Sequence, residues 1–215
     1  GFMPDLITAI KKEAQGLLND SKGSHDWEHT LRVYKLAEHI GKLENADMKI
    51  VRLSAFLHDI GRHHEDSSRG NICHARKSVQ IAEDLLTNYK LDSVTREKIL
   101  HCIGTHRFRD NKVPQSKEAK VLFDADKLDS IGAVGIGRAF LFAGEVGARL
   151  HNPGVNPEKT RPYTGEDTAY REYLIKLRKI KNRMMTSEGK RMAKERHTFM
   201  VRFFERLNKE VQGLI

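Results

Sequence analysis

Along nearly the whole chain, apolar residues return every three or four positions, and this spacing constrains the fold more than any other feature. Leu31, Val33, Leu36, Ile40 and Leu43 form one such run. An α-helix turns once in about 3.6 residues, so these side chains share one face, whereas a half-buried strand would alternate apolar with polar residues. Little alternation of that kind is present. The pattern predicts an all-α protein, with helices near residues 4–20, 27–45, 47–60, 74–88, 92–107, 117–130, 132–150, 167–186 and 189–212.

Turn-forming residues separate these stretches. Asn19, Asp20, Ser21, Gly23 and Ser24 make a link before the second helix, with Asp26 as its candidate N-cap. Residues 151–165 hold three of the five prolines and two glycines, so no helix can run through them. This longest loop is either a plain connection or a lid over a binding site. Beyond it, Tyr173, Leu177, Ile180 and Met184 form one apolar stripe, and Met192, Phe199, Phe203 and Leu207 form the next, both expected in the core. The expected organisation is a single domain over residues 3–215: a helical core over about 20–150, the loop, and a C-terminal helical extension from 166.

Composition narrows the functional classes. Hydrophobic residues at 39 % and charged residues at 31 % suit a folded globular protein and are too apolar for a disordered one. No apolar stretch approaches the roughly 20 residues that cross a bilayer, and no leader pattern is seen, which points to a cytoplasmic protein without a membrane partner. Cys73 and Cys102 lie in no CxxC arrangement and are expected as reduced thiols. The net charge is +9, and residues 171–196 carry ten Lys or Arg against three Asp or Glu. A solvated helix face accounts for such a run, and a polyanion-binding surface is the alternative.

Certain polar residues fall where apolar ones are expected. His29 continues the stripe of Val33, Leu36 and Ile40; His74 heads that of Ser78, Ile81 and Leu85; His106 follows Ile99 and Ile103. His58 and Asp59 close the apolar stretch Ile50 to Leu57 just before Gly61, and Asp126 lies between Phe123 and Leu128. Burying one unpaired polar group costs roughly 2–7 kcal/mol, and an isolated carboxylate far more. A divalent cation compensates several such groups at once, because neutral imidazoles and carboxylates are the ligands that Mn, Fe, Co, Ni and Zn accept, carboxylates also suiting Mg. A single buried His is explained by a hydrogen bond to a backbone carbonyl; several on convergent faces are not.

These residues carry a resemblance. His29 stands in H-D-W-E-H-T-L-R-V, His58 and Asp59 in F-L-H-D-I-G-R, and Asp126 in D-A-D-K-L-D. In that order they resemble the H...HD...D signature of the HD superfamily of metal-dependent phosphohydrolases. The segments I-G-A-V-G-I-G-R and M-T-S-E-G-K-R-M-A-K-E-R-H are similar to the small stand-alone HD hydrolases of bacteria and archaea, so the likeness extends over nearly the whole chain. It implies a helical HD-domain bundle, a divalent metal (Mn, Mg, Fe, Co, Ni or Zn) held by His29, His58, Asp59 and Asp126, and hydrolysis of phosphate esters or anhydrides. It also selects Asp126 over its neighbours Asp124 and Asp129.

The expected reaction is attack of a metal-activated water on phosphorus, with Asp59 as the catalytic proton acceptor and a small phosphorylated substrate, a nucleotide being favoured. His74 and His106 either steady the substrate phosphate or, as in HD relatives with two metals, ligate a second ion; one ion is the favoured reading. Arg62, Arg107 and Lys127 adjoin the motifs and are candidate phosphate contacts. His25 is expected in turn packing and His63 and His64 on an exposed rim. Two competing readings remain: a di-iron oxygenase on the same scaffold, which needs His74 and His106 as ligands, and a non-catalytic helical protein binding polyanions such as nucleic acid.

Overall fold

A computed structural model of the chain describes residues 5–19, 27–62, 73–107 and 112–215. The anticipated cap Asp26 and the histidines His25, His63 and His64 lie outside these residues. The described residues form nine α-helices and no strand: α1 (Leu6–Leu18), α2 (Trp27–Leu43), α3 (Met48–Leu57), α4 (His74–Leu86), α5 (Ser93–Thr105), α6 (Lys117–Leu128), α7 (Gly132–Glu145), α8 (Ala169–Ile175) and α9 (Ser187–Val211). Short 3-10 turns occupy Pro157–Lys159 and Leu177–Arg183. No helix of the described residues is long and apolar enough to cross a membrane.

Helix starts are written in side-chain chemistry. Asp5 accepts from the Thr8 N–H at 2.8 Å, Asp47 from Lys49 at 3.1 Å, and Asp92 from Thr95 at 2.6 Å. Each satisfies a backbone donor that the first turn leaves without a helical partner. Ends are equally local. Asn45 adopts φ 57° beyond α2, and the Ala46 N–H reaches back to the Gly41 carbonyl at 2.9 Å. Gly147, at φ 75°, does the same for α7, with the Ala148 N–H on the Ala143 carbonyl at 2.8 Å. This closure ends α7 at Glu145, shorter than the helix expected to residue 150.

The chain divides into two compact units, residues 1–126 and 127–215, with the boundary inside α6. In the first, α3 is central: it packs on α1, α2 and α5, while α4 packs on α5. Its interior holds Val33, Ile40, Ile50, Leu53, Phe56 and Ile99, all at most 2 % exposed. Leu43, expected to extend the α2 stripe, is 59 % exposed because the helix ends there.

In the second unit α9 packs on α7 and on the 3-10 turn, which also meets α8. Two expectations are corrected here. The helix expected over 167–186 is a short α8 followed by the 3-10 segment Leu177–Arg183, although Leu177, Ile180 and Met184 are buried as anticipated. On α9 the buried face is Gly189, Ala193, Met200 and Phe204, one position beyond the Met192, Phe199, Phe203 stripe, and Phe199 is half exposed.

Candidate metal centre

Five segments of the first unit contribute to one cluster. His29 comes from the first turn of α2, His58 is the C-cap of α3 and Asp59 follows it, His74 opens α4, His106 is the C-cap of α5, and Asp126 lies in the last turn of α6. His29, His58, Asp59, His74 and His106 are at most 3 % exposed, and Asp126 is half-buried.

Gly61 makes this convergence possible. A Cβ at that position would stand 2.5 Å from the Ser78 nitrogen and 2.7 Å from the His74 carbonyl oxygen, so only glycine lets the turn after Asp59 lie against the first turns of α4. The Gly61 N–H donates to the buried Ser78 hydroxyl at 2.8 Å and pins the approach. Sequence reasoning placed Ser78 on the inward face of α4 but gave no signal that it holds the turn.

The ligand-type atoms fall into two groups among the described residues. His29, His58 and Asp126 make one, and Asp59, His74 and His106 the other; within each group the atoms lie within 4.8 Å of one another. Asp126 Oδ1 is 3.3 Å from His29 Nε2 and 3.4 Å from His58 Nε2. Asp59 bridges the groups, with Oδ1 3.3 Å from His74 Nε2 and Oδ2 3.9 Å from His29 Nε2. The imidazoles pack against each other, with ring centroids 5.5 Å apart for His29 and His58 and 5.1 Å apart for His58 and His106.

Two imidazoles are oriented by main chain. His58 Nδ1 lies 2.7 Å from the Ala55 carbonyl oxygen, and His106 Nδ1 lies 2.6 Å from that of Ile103. A carbonyl only accepts, so each Nδ1 carries a hydrogen, and in the neutral ring the lone pair lies on Nε2, toward the cluster. These are carbonyls of last helical turns, which lack intrahelical donors, so one bond serves both the helix end and the ring.

Electrostatics agree with a cation site. Burial would raise the Asp59 carboxyl pKa, but His74, His58, Arg62 and His29 around it hold it well below the usual carboxylate range. Burial pushes the His106 imidazole well below its usual value, the Asp126 and Asp59 charges only partly opposing it, so it is neutral, the form that ligates. For His58 burial acts the same way, yet Asp126 and Asp59 outweigh it and its pKa is raised. Buried His58 Nε2 and Asp59 Oδ2 have no hydrogen-bond partner among the described residues. A ring nitrogen and a carboxylate oxygen both buried without a partner are costly unless a cation compensates them, and the donor set of imidazoles and carboxylates suits a divalent one. The residues fit a metal ion.

The other anticipated residues divide. Arg62 Nη1 and Arg107 Nη1 both reach His74 Nδ1, at 2.8 Å and 2.6 Å, so both arginines border the cluster. Lys127 belongs to the second unit and is half-buried at the end of α6. Asp124 and Asp129 are fully buried but belong to neither metal-type group. Asp129 instead meets Arg138 at 3.3 Å. Cys73 and Cys102 are free thiols, as expected.

Comparison with known proteins gives the same frame. Residues 26–131, which contain every member of the cluster, match the HD domain family. The uncharacterized protein YpgQ of Bacillus subtilis is 36 % identical over 209 residues, covering 95 % of this chain and 93 % of YpgQ. The crystal structure of YpgQ in complex with ADP superposes with a TM-score of 0.75 at 32 % identity, covering 97 % of this chain and all of that one. An HD-superfamily hydrolase from Bacillus thuringiensis matches with a TM-score of 0.75 at 27 % identity over 96 % of both chains. The convergent histidines and aspartates, the matched segment and these relatives lead to one conclusion: the chain belongs to the HD superfamily of metal-dependent hydrolases.

Proposed function

We propose that the chain hydrolyses a phosphate ester or anhydride of a nucleotide, using one divalent ion held by His29, His58, Asp59 and Asp126. The observation that carries this reading is that His58 Nε2, 3.4 Å from Asp126 Oδ1, and Asp59 Oδ2 are both buried with no hydrogen-bond partner among the described residues. When bound, such an ion polarises a phosphoryl oxygen and brings water toward its nucleophilic form at neutral pH.

The chain's own residues supply the rest. Asp59, held ionised, accepts a hydrogen bond from the attacking water and orients it toward phosphorus, and because a carboxyl held this low is a weak base the proton passes on to solvent. Arg62 and Arg107 approach from different segments and place two permanent positive charges at the border of the cluster. A guanidinium matches phosphate oxygens in a planar fork, so the pair fits the anionic end of a substrate carrying one or more phosphates. That YpgQ crystallises with ADP supports a nucleotide as that substrate.

A phosphate-release screen over nucleotides and sugar phosphates with Mn, Mg, Co and Ni tests the reading, with Asp59→Ala as control. Release that depends on metal and vanishes in the control is expected; release unchanged in the control would place the hydrolysis elsewhere. The group Asp59, His74, His106 favours a second reading, a two-iron oxygenase. Two irons per chain together with oxygen consumption would replace the hydrolase.

A further inference from the structure

His74 differs from the other oriented histidines of the cluster. His58 and His106 each point Nδ1 at a carbonyl oxygen, whereas His74 points Nδ1 at Arg62 Nη1, 2.8 Å away, and at Arg107 Nη1, 2.6 Å away. A guanidinium is permanently charged and only donates. His74 Nδ1 must therefore accept, and the hydrogen of the ring sits on Nε2.

That Nε2 faces the cluster. It lies 3.0 Å from His106 Nε2 and 3.3 Å from Asp59 Oδ1. His106 Nε2 is bare because its Nδ1 donates to Ile103, so it accepts from His74. The bonds run in one direction: arginines to His74, His74 to His106 and Asp59, His106 to the Ile103 carbonyl. Reversing the tautomer of His74 would set two guanidiniums against an N–H and two bare nitrogens against each other, each a loss of a buried hydrogen bond.

We propose that Arg62 and Arg107 together lock His74 in its Nε2–H form, so that His74 serves the centre as a hydrogen-bond donor and not as a ligand, which limits the site to one metal ion. A nitrogen bearing hydrogen has no lone pair to give a cation. The group Asp59, His74, His106 thus has the composition of a second metal site with one of its three members turned to the wrong form. The same N–H suits a phosphoryl or leaving oxygen, whose growing negative charge it can meet. A guanidinium carries five donors, so each arginine can hold His74 and a substrate oxyanion at once. The inference rests on the proposed one-ion hydrolase and adds the device that keeps it so.

The experiment combines histidine 15N NMR on the full chain, metal-free and loaded with diamagnetic Zn or Mg, with metal analysis after saturation with Mn. Nε2–H on His74, Nδ1–H on His58 and His106, and one ion per chain in both wild type and His74→Gln are expected. In Arg62→Met/Arg107→Met the His74 hydrogen should redistribute, while Arg62→Lys/Arg107→Lys, which keeps donors in place, should retain Nε2–H. Nδ1–H on His74 in the wild type overturns the lock, as does an unaltered tautomer in the double Met variant. Two ions in the wild type falling to one in His74→Gln also overturn it. A chain with one ion and locked His74 but no phosphate release sinks the hydrolase reading alone, so the two failures are told apart.

Discussion

His58 Nδ1 stands 2.7 Å from the carbonyl oxygen of Ala55, three residues earlier on the same helix. The helix end thereby fixes the ring, and the opposite nitrogen faces Asp126 without rotating. His106 and Ile103 repeat the device at 2.6 Å on α5. Losing a group that merely supports a ligand costs about 10–100-fold in metal affinity, so removing a ligand should cost at least as much. His58→Ala is expected to lose Mn binding by that factor or more in calorimetric titration. His106→Ala should keep a single ion, because its bare nitrogen is met by His74. Equal loss in both variants would show His106 to be a ligand as well.

Gly61 offers a test of how the cluster is assembled. Gly61→Ala puts a methyl group within 2.8 Å of backbone at His74, Lys77 and Ser78, which cannot move as a flexible side chain would. Overpacking of this kind costs about 1–3 kcal/mol. A lower denaturation midpoint is expected together with weaker metal binding, since the same shift moves His74 and Asp59 apart. Full stability and full metal affinity in the variant would mean that α4 tolerates displacement.

Cys102 gives a pH prediction away from the centre. Burial pushes its thiol up to about 12, a hydrogen bond with Ser54 offsetting a little of this. In the unfolded chain the thiol ionises from roughly pH 8.5, where the unfolded state begins to hold fewer protons than the native one. Folding stability must then fall as pH rises, by about 1.4 kcal/mol per unit from this group between its unfolded and native values. Urea unfolding of wild type and Cys102→Ala between pH 8 and 10 should show the steeper decline in the wild type. Identical slopes would refute the assignment. A thiol reagent should likewise reach Cys102 only on unfolding, whereas Cys73 is half-buried and should react sooner.

How far the sequence could be read follows from which residues act locally. His29, Val33, Leu36 and Ile40 share a buried face because spacing alone sets a helix face. His58, Asp59 and Asp126 were legible as a motif, and their convergence is what the motif implies. On α9 large apolar side chains stand on two adjacent faces, Phe199 and Phe203 on one and Met200 and Phe204 on the next, so size does not choose between them, and the buried face runs through Gly189, Ala193, Met200 and Phe204. The arginines were visible as neighbours of the motifs, yet nothing in the sequence could say that both would end on His74 Nδ1. That contact depends on how α4 and α5 pack and on the ring's rotation, neither of which spacing encodes.

Removing the metal should expose the strain that the centre carries without it. A ligand at 100 times its dissociation constant stabilises the native state by about 2.7 kcal/mol, so adding Mn to chelator-treated protein should raise the thermal midpoint measurably. The gain should be local in origin. Amide exchange is expected to slow at the start of α2, the C-terminal turns of α3 and α6 and the turn through Asp59 to Arg62, since those backbones carry the ligands. Residues of the second unit supply none of them and should change little. Asp59→Ala should abolish the midpoint shift even where the metal-free variant is no less stable than wild type, because the substitution removes a buried charge as well as a ligand. A shift that survives Asp59→Ala, or protection spread evenly over α7, α8 and α9, would place the ion elsewhere.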